Sequence, residues 1–399
     1  MLSTLLIILM IPRCIKITYI NSIKLYGDKV EMIPNFQQRC SSLVQTLKEN
    51  NLGAAAFVPG PNFYFLTGLK FSLMERPTLM VLKNNGDILA IMPELEREMW
   101  SAAMHDATTF YWQDSDGFDK AFVELATELG ATTIGIEGQR MRAFELNALQ
   151  DVFGPGSIKD AQAILAKPRL IKSDFEVSLI QEAINISEIS LSETLESVRI
   201  GMSEATIKAM LMQRMLANGA DGFAFDIIVL TGGNAAKPHG IPGETRLVSG
   251  APLLIDFGAS YQGYSADITR TVFCESIKDE YAEIYEAVLS ANIVGRDMAA
   301  PSVTCHELDL KVSNTLHNAG FEELTVHKTG HGLGLDIHEA PNVMLNNHTS
   351  LETGMLITIE PGLYRSNDIG VRIEDDVLIT DDGCKSLTSF EREPLIVGK

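Results

Sequence analysis

Hydrophobic spacing changes period along this chain. Residues 36–49, FQQRCSSLVQTLKE, place apolar side chains at helical intervals, and DKAFVELATELG repeats that pattern. Between them, PTLMVLKNNGDILAIMP sets two apolar runs around Asn84-Asn85-Gly86, which predicts a hairpin. AAAFVPGPNFYFLTG reads as strand, turn, then strand or short helix, punctuated by Pro59, Gly60 and Pro61. TTIGIEG adds another strand. Strands alternating with helices predict an α/β unit to about residue 160.

The pattern then shifts. Lys167-Pro168 is a break, and Ser173 followed by Glu176 forms an S-x-x-E capping box that opens a long helix. Ser203 with Thr206 starts a second helix, which Gly219 closes. Strands and turns follow, so the second half reads as α+β.

Several strands of this second half end in acids. In APLLIDFGASYQGYSADITRTVF, an apolar run reaches Asp256 and a glycine-containing turn leads to Asp267. Glu360 ends the run Met355–Ile359. Glu374 sits inside the predicted strand GVRIEDDVLIT, with Arg372, Glu374 and Asp376 on one face. A buried strand that ends in a carboxylate is costly unless the charge is paired or bound to a cation. Singly, such acids read equally well as turn caps or a solvated face. The stretch HKTGHGLGLDIHE adds three of the chain's eight histidines in thirteen positions, and only His105 lies in the first half.

Together, Asp256, Asp267, His331, Glu360 and Glu374 make four carboxylates and one imidazole. Carboxylates crowded together repel one another, and divalent cations cancel that charge. A donor set rich in carboxylate oxygen and without sulfur favours manganese, with cobalt, iron or zinc compatible.

Composition narrows the function classes. The chain has 399 residues, is 46% hydrophobic and 21% charged, and carries a net charge of −20. That balance argues against a nucleic-acid surface and against anionic lipid. Five scattered cysteines form no CxxC pair, which fits a reducing cytoplasm. The opening segment, residues 1–31, carries four basic and two acidic residues, +2 against −22 for the remainder. Its apolar run is too short to span a bilayer. It is expected to lie outside the folded unit or to be a weak targeting segment.

IDFGASYQGYSADITRT, TGHGLGLDIHE, TIEPGLY and GVRIEDDVLIT resemble the motif series of the M24 metallopeptidases over about residues 172–395. That family has the "pita-bread" fold and includes methionine aminopeptidase, aminopeptidase P and prolidase. Residues 36–165 resemble the creatinase-type N-terminal domain of the last two. The resemblance implies an extension at 1–31, an N-terminal domain at 32–165 and a catalytic domain at 166–399.

It also implies two divalent ions, manganese first. Asp256 would bind one, Asp267 and Glu374 would bridge the pair, and His331 would complete a shell with Glu360 beside it. Glu360 is also the implied general base. Catalysis would be hydrolysis of the Xaa-Pro imide bond, in dipeptides or at peptide N-termini, by a metal-bridging hydroxide. His338 and His239 would touch substrate, Phe225 would line its pocket, and Arg372 would orient ligands by pairing with a site carboxylate. His327 would support the site or the fold. Gly330, Gly332 and Gly334 would let the backbone around His331 turn tightly and leave space for substrate. Relatives imply a homodimer with Xaa-Pro peptides as partners; the net charge and the short apolar run imply no nucleic acid and no stable membrane insertion. A sulfonium-lyase type of metal enzyme on the same scaffold, or a non-catalytic binding module, are the alternatives.

Overall fold

The alternation predicted before residue 160 builds one mixed sheet. A computed structural model describes residues 25–26, 29–30 and 36–398. The sheet runs Thr108–Trp112, Ile88–Pro93, Leu79–Lys83, Ala54–Phe57, Ile134–Ile136, Ile158–Asp160. The hairpin at Asn84-Asn85-Gly86 forms as its sequence predicts. Gly86 takes φ 98°, and its N–H donates to the Lys83 carbonyl at 2.9 Å. Helix Phe36–Glu49 covers one face of this sheet through Leu43 and Leu47. Helix Asp119–Leu129 covers the other through Phe122 and Leu125.

The chain divides into two units, Met1–Asn35 and Phe36–Lys399. In the first, only the antiparallel strands Leu25–Tyr26 and Lys29–Val30 are described. The expectation for 1–31 otherwise falls outside the described residues.

After residue 170, two sheets take over. One orders Ile228–Thr231, Pro252–Phe257, Ile268–Cys274 and Ile396–Val397. The other orders Glu339–Val343, Gly330–Gly332, Leu356–Ile359, Asp375–Thr380 and Gly383–Ser386. Helix Asp174–Ser197 opens on the predicted capping box, with Ser173 and Glu176 capping each other reciprocally. It packs with Glu204–Ala217 over the first sheet. Helices Asp279–Met298 and Cys305–Asn318 pack over the second. Both sheets therefore have a helical outer layer.

Two expectations are corrected here. Gly330 and Gly332, beside His331, do not make a turn with room for substrate; of the three glycines, only Gly334 lies in a bend. Gly330–Gly332 is a strand in the second sheet. A Cβ on Gly330 would stand 2.0 Å from the Thr358 carbonyl oxygen, and one on Gly332 would stand 2.2 Å from that of Ala340. These glycines allow close backbone approach, not a bend. Glu374 does not lie inside a strand. The chain leaves a two-stranded ladder at Arg372 and joins the second sheet at Asp375, so Glu374 occupies the break.

The residues before 165 grip those after it. Arg140 Nη2 pairs with Asp336 Oδ2 at 2.8 Å, and Arg39 Nη2 lies 3.4 Å from Glu176 Oε1. The Tyr64 hydroxyl donates to the Gln262 carbonyl at 3.0 Å. Asp336 is two residues from His338 in the chain.

Candidate metal centre

Strand pairing gathers the acids. Strands Pro252–Phe257 and Ile268–Cys274 are antiparallel with Asp256 opposite Thr269, which puts Asp256 and Asp267 at one end. Strands Leu356–Ile359 and Asp375–Thr380 pair Ile359 with Asp375, so the flanking Glu360 and Glu374 face each other. His331 enters from the neighbouring strand, where Gly332 pairs with Ile357. All five residues expected as ligands line one cleft of about 490 Å³.

The centre is crowded and mostly buried. One ligand atom each of Asp267, His331 and Glu374 lies within 4.8 Å of the other two. His331 Nε2 stands 3.6 Å from Asp267 Oδ2 and 3.4 Å from Glu360 Oε1. These are not ion pairs. Burial, with His338 nearby, pulls the His331 ring down to about 3, so it is neutral. Nδ1 lies 3.0 Å from the Gly332 carbonyl oxygen, which accepts only, so Nδ1 carries the proton. Nε2 is left as a lone pair aimed at two carboxylates.

The carboxylates are equally ill at ease. Burial and then Glu374, Asp256, Asp376 and Glu360 push Asp267 well above the usual range. Burial, Glu360 and Asp256 do the same to Glu374. Burial lifts Glu360 to about 7 against the pull of Arg372. Asp256 is raised by burial although Arg372 opposes it, and its Oδ1 is buried with no hydrogen-bond partner among the described residues. Carboxylate oxygens converging on an imidazole lone pair fit a divalent cation, which would accept from all of them.

Around this centre, polar contacts hold the ligands in place. Arg372 binds Asp256 Oδ2 through Nη2, donates to Thr269 Oγ1 through Nε at 2.9 Å, and to the Tyr364 hydroxyl through Nη1 at 2.6 Å. Thr269 Oγ1 in turn donates to Glu374 Oε2 at 2.6 Å. Asp376 Oδ2 accepts the Asp267 N–H at 3.0 Å. His327 Nε2 lies 2.9 Å from the Tyr364 hydroxyl, and burial pulls this ring down to about 4. His327 thus supports Arg372 through Tyr364.

The residues expected at substrate are in the same cleft. Phe225, His239 and His338 line it, with His239 exposed at the rim. The His338 ring lies 4.4 Å from that of His331, edge to face. Thr269, Tyr364, Thr358 and Lys328 were missed in the sequence. Thr269 had a signal, since it shares a strand face with Asp267. Tyr364 reaches Arg372 through the short hairpin that pairs Gly362–Arg365 with Ile369–Arg372, whose register was also missed in the sequence. His306 and His348 pack against each other at a tilt of 54°, their ring centroids 5.1 Å apart, and do not line the cleft. Cys40, Cys274, Cys305 and Cys384 are free. Among the described residues no helix is long and apolar enough to cross a membrane.

Comparison with known proteins gives two family matches. Residues 178–381 match metallopeptidase family M24, and residues 39–171 match the creatinase/prolidase N-terminal domain. The Xaa-Pro dipeptidase of Pyrococcus horikoshii is 33% identical over 356 residues, covering 89% of this chain and 98% of the relative. The crystal structure of a recombinant prolidase from Thermococcus sibiricus superposes with a TM-score of 0.87 at 28% identity, covering 92% of this chain and all of that one. An X-Pro aminopeptidase from Thermotoga maritima gives 0.79 at 29%, covering 90% and 99%.

Proposed function

Because the chain belongs to metallopeptidase family M24, we propose that it hydrolyses Xaa-Pro imide bonds with two divalent metal ions, manganese first. The observation that carries this is the neutral His331 Nε2 aimed at Asp267 and Glu360 among carboxylates that repel one another. Asp256, Asp267, His331, Glu360 and Glu374 would hold the metal. When bound, divalent ions acidify water and polarise the scissile carbonyl.

The chain's own residues supply the rest. Glu360 is the general base. The most exposed of the five side chains, it faces the cleft where an attacking water would enter. It takes a proton from the attacking water as the C–O bond forms. It returns that proton to the proline nitrogen as the C–N bond breaks. His338 and His239 hydrogen-bond the substrate carbonyl and the developing oxyanion, where a well-aimed donor lowers a barrier by about 3–4 kcal/mol. Phe225 and Ile337 give the cleft an apolar wall for the proline ring. An imide nitrogen offers no N–H to a strand-like site, so recognition must rest on shape and on the two termini.

We assign the wider organisation in the same way. Residues 32–165 act as scaffold and gate, and 166–399 carry the chemistry. The enzyme works as a cytoplasmic homodimer. The deciding test is proline release from Ala-Pro and alanine release from Ala-Pro-Ala, with metal-stripped protein and with added manganese or cobalt. Metal-dependent cleavage of either supports the reading. A folded, metal-loaded protein that cleaves neither sinks it and brings the lyase alternative forward. Light scattering on the purified protein checks the dimer.

A further inference from the structure

The cleft holds two permanent cations, and they are differently placed. Arg372 is buried, and its nitrogens are committed to Asp256, Thr269 and Tyr364. Lys328 is half-buried. Its Nζ donates to a neutral acceptor, Asn342 Oδ1, at 2.5 Å, and among the described residues it forms no ion pair within 4.0 Å. Its side chain lines the same cleft as Glu360, His331 and His338.

A strongly acidic protein that keeps a lysine in a carboxylate-lined cleft, without pairing it, has a cation ready for an incoming anion. A Xaa-Pro dipeptide brings one. Its terminal carboxylate lies one residue beyond the scissile bond, and each further residue moves it roughly 3.5 Å away. Lysine carries its ammonium on a flexible four-carbon stem, so it can exchange the Asn342 amide oxygen for a carboxylate without moving the backbone. The other polar side chains lining this cleft that are not ligands are Asp226 and three histidines, and burial pulls His327 toward its neutral form.

We propose that Lys328 reads the C-terminal carboxylate of the substrate and makes this enzyme selective for dipeptides over longer Xaa-Pro peptides. The inference rests on the Xaa-Pro reading above and deepens it. Asn342 is the parking place of the ammonium when no carboxylate is bound.

The test compares Ala-Pro with Ala-Pro-NH2, which lacks the terminal charge, in the manganese-loaded wild type, Lys328→Met and Lys328→Arg. A charge-assisted hydrogen bond lost from binding is expected to raise KM for Ala-Pro by roughly 10- to 100-fold. In Lys328→Met the ratio of kcat/KM for Ala-Pro over Ala-Pro-NH2 should therefore fall at least about tenfold. The loss should sit in KM, and Lys328→Arg should restore most of it. A wild type that cleaves both substrates equally overturns this inference but leaves the Xaa-Pro reading intact. A ratio unchanged in Lys328→Met overturns it too, whether both activities fall together or neither does. A wild type that cleaves neither substrate removes the Xaa-Pro reading and this one with it.

Discussion

Glu374 and Asp375 are adjacent in sequence and almost equally buried, yet they live in opposite electrostatic worlds. Asp375 faces Arg270 Nη2 at 2.8 Å, Arg392 Nε at 2.8 Å and Asn292 Nδ2 at 3.0 Å, with Arg296 Nε at 3.5 Å. Burial alone would raise its pKa, but Arg270 and Arg392 outweigh it and hold the carboxyl below the usual range. Glu374 has the Thr269 hydroxyl and a share of Arg372, and otherwise looks at more carboxylates. Burial of an acid is therefore no sign of a site in itself. The sign is a buried acid whose charge the protein has left uncancelled.

The comparison breaks most sharply by mutation of the pair. Glu374→Gln should cut turnover roughly a thousandfold, about 4 kcal/mol of barrier, while the metal-free protein keeps its thermal midpoint or gains. Asp375→Asn should do the reverse in kind. It strands Arg270 and Arg392 and costs about 3–5 kcal/mol of folding stability, read from urea melts. Equal losses of stability in both variants would erase the distinction.

Next in size is the cation itself. Manganese at about 1,000 times its dissociation constant should stabilise the wild type by about 4 kcal/mol over the EDTA-treated protein. Glu374→Gln should recover only part of that rise. A thermal midpoint indifferent to metal would mean that protons, not cations, keep these carboxylates neutral.

A third acid sharpens the contrast, because its remedy is a proton. Glu137 is 2% exposed, accepts from Asn62 Nδ2 at 2.9 Å through Oε1, and has no partner for Oε2 among the described residues. Burial lifts it to about 7, although Arg140 pulls the other way. A raised folded pKa means that its stabilising contribution is whole below about 4.5 and is lost as pH rises through about 7. Relative to Glu137→Gln, the wild type should therefore lose up to about 3 kcal/mol across that window. Urea midpoints at pH 4.5 to 8, with saturating manganese in both proteins, isolate the effect from the metal centre. Parallel curves for the two proteins would mean that Glu137 finds a partner when ionised.

Much of this was legible in the sequence. Acids at the ends of apolar strands marked Asp256, Asp267 and Glu360, because burial of a charge at such a point demands a reason. The capping box at Ser173 and the Asn-Asn-Gly hairpin were local and came out as read. What failed was non-local. Gly330 and Gly332 looked like part of a turn, since period and composition cannot register a Thr358 carbonyl 2.0 Å from where a Cβ on Gly330 would sit. Glu374 looked embedded in one strand, since nothing in GVRIEDDVLIT marks the change of sheet between Arg372 and Asp375. Asp375 shows the deeper limit. Its arginines come from positions 270, 296 and 392, so in sequence it was indistinguishable from its neighbour.

The smallest expected effect lies between the two regions, at Tyr364. Its hydroxyl accepts from Arg372 Nη1 and donates to His327 Nε2, whose ring is neutral and protonated at Nδ1 toward the Lys328 carbonyl. Arg372 is the cation that keeps the centre from being wholly uncompensated, and Tyr364 helps fix where it points. Tyr364→Phe removes one oxygen and leaves two buried polar atoms unpaired, a cost of about 1–2 kcal/mol in folding stability. The looser guanidinium should let Asp256 wander and weaken manganese affinity about tenfold, measured by calorimetric titration. Arg372 keeps its bonds to Thr269 and Asp256, so activity at saturating metal should recover to near the wild-type level. If affinity is unchanged, those two bonds alone position Arg372, and the Tyr364–His327 pair belongs with Asp375 on the structural side of the divide.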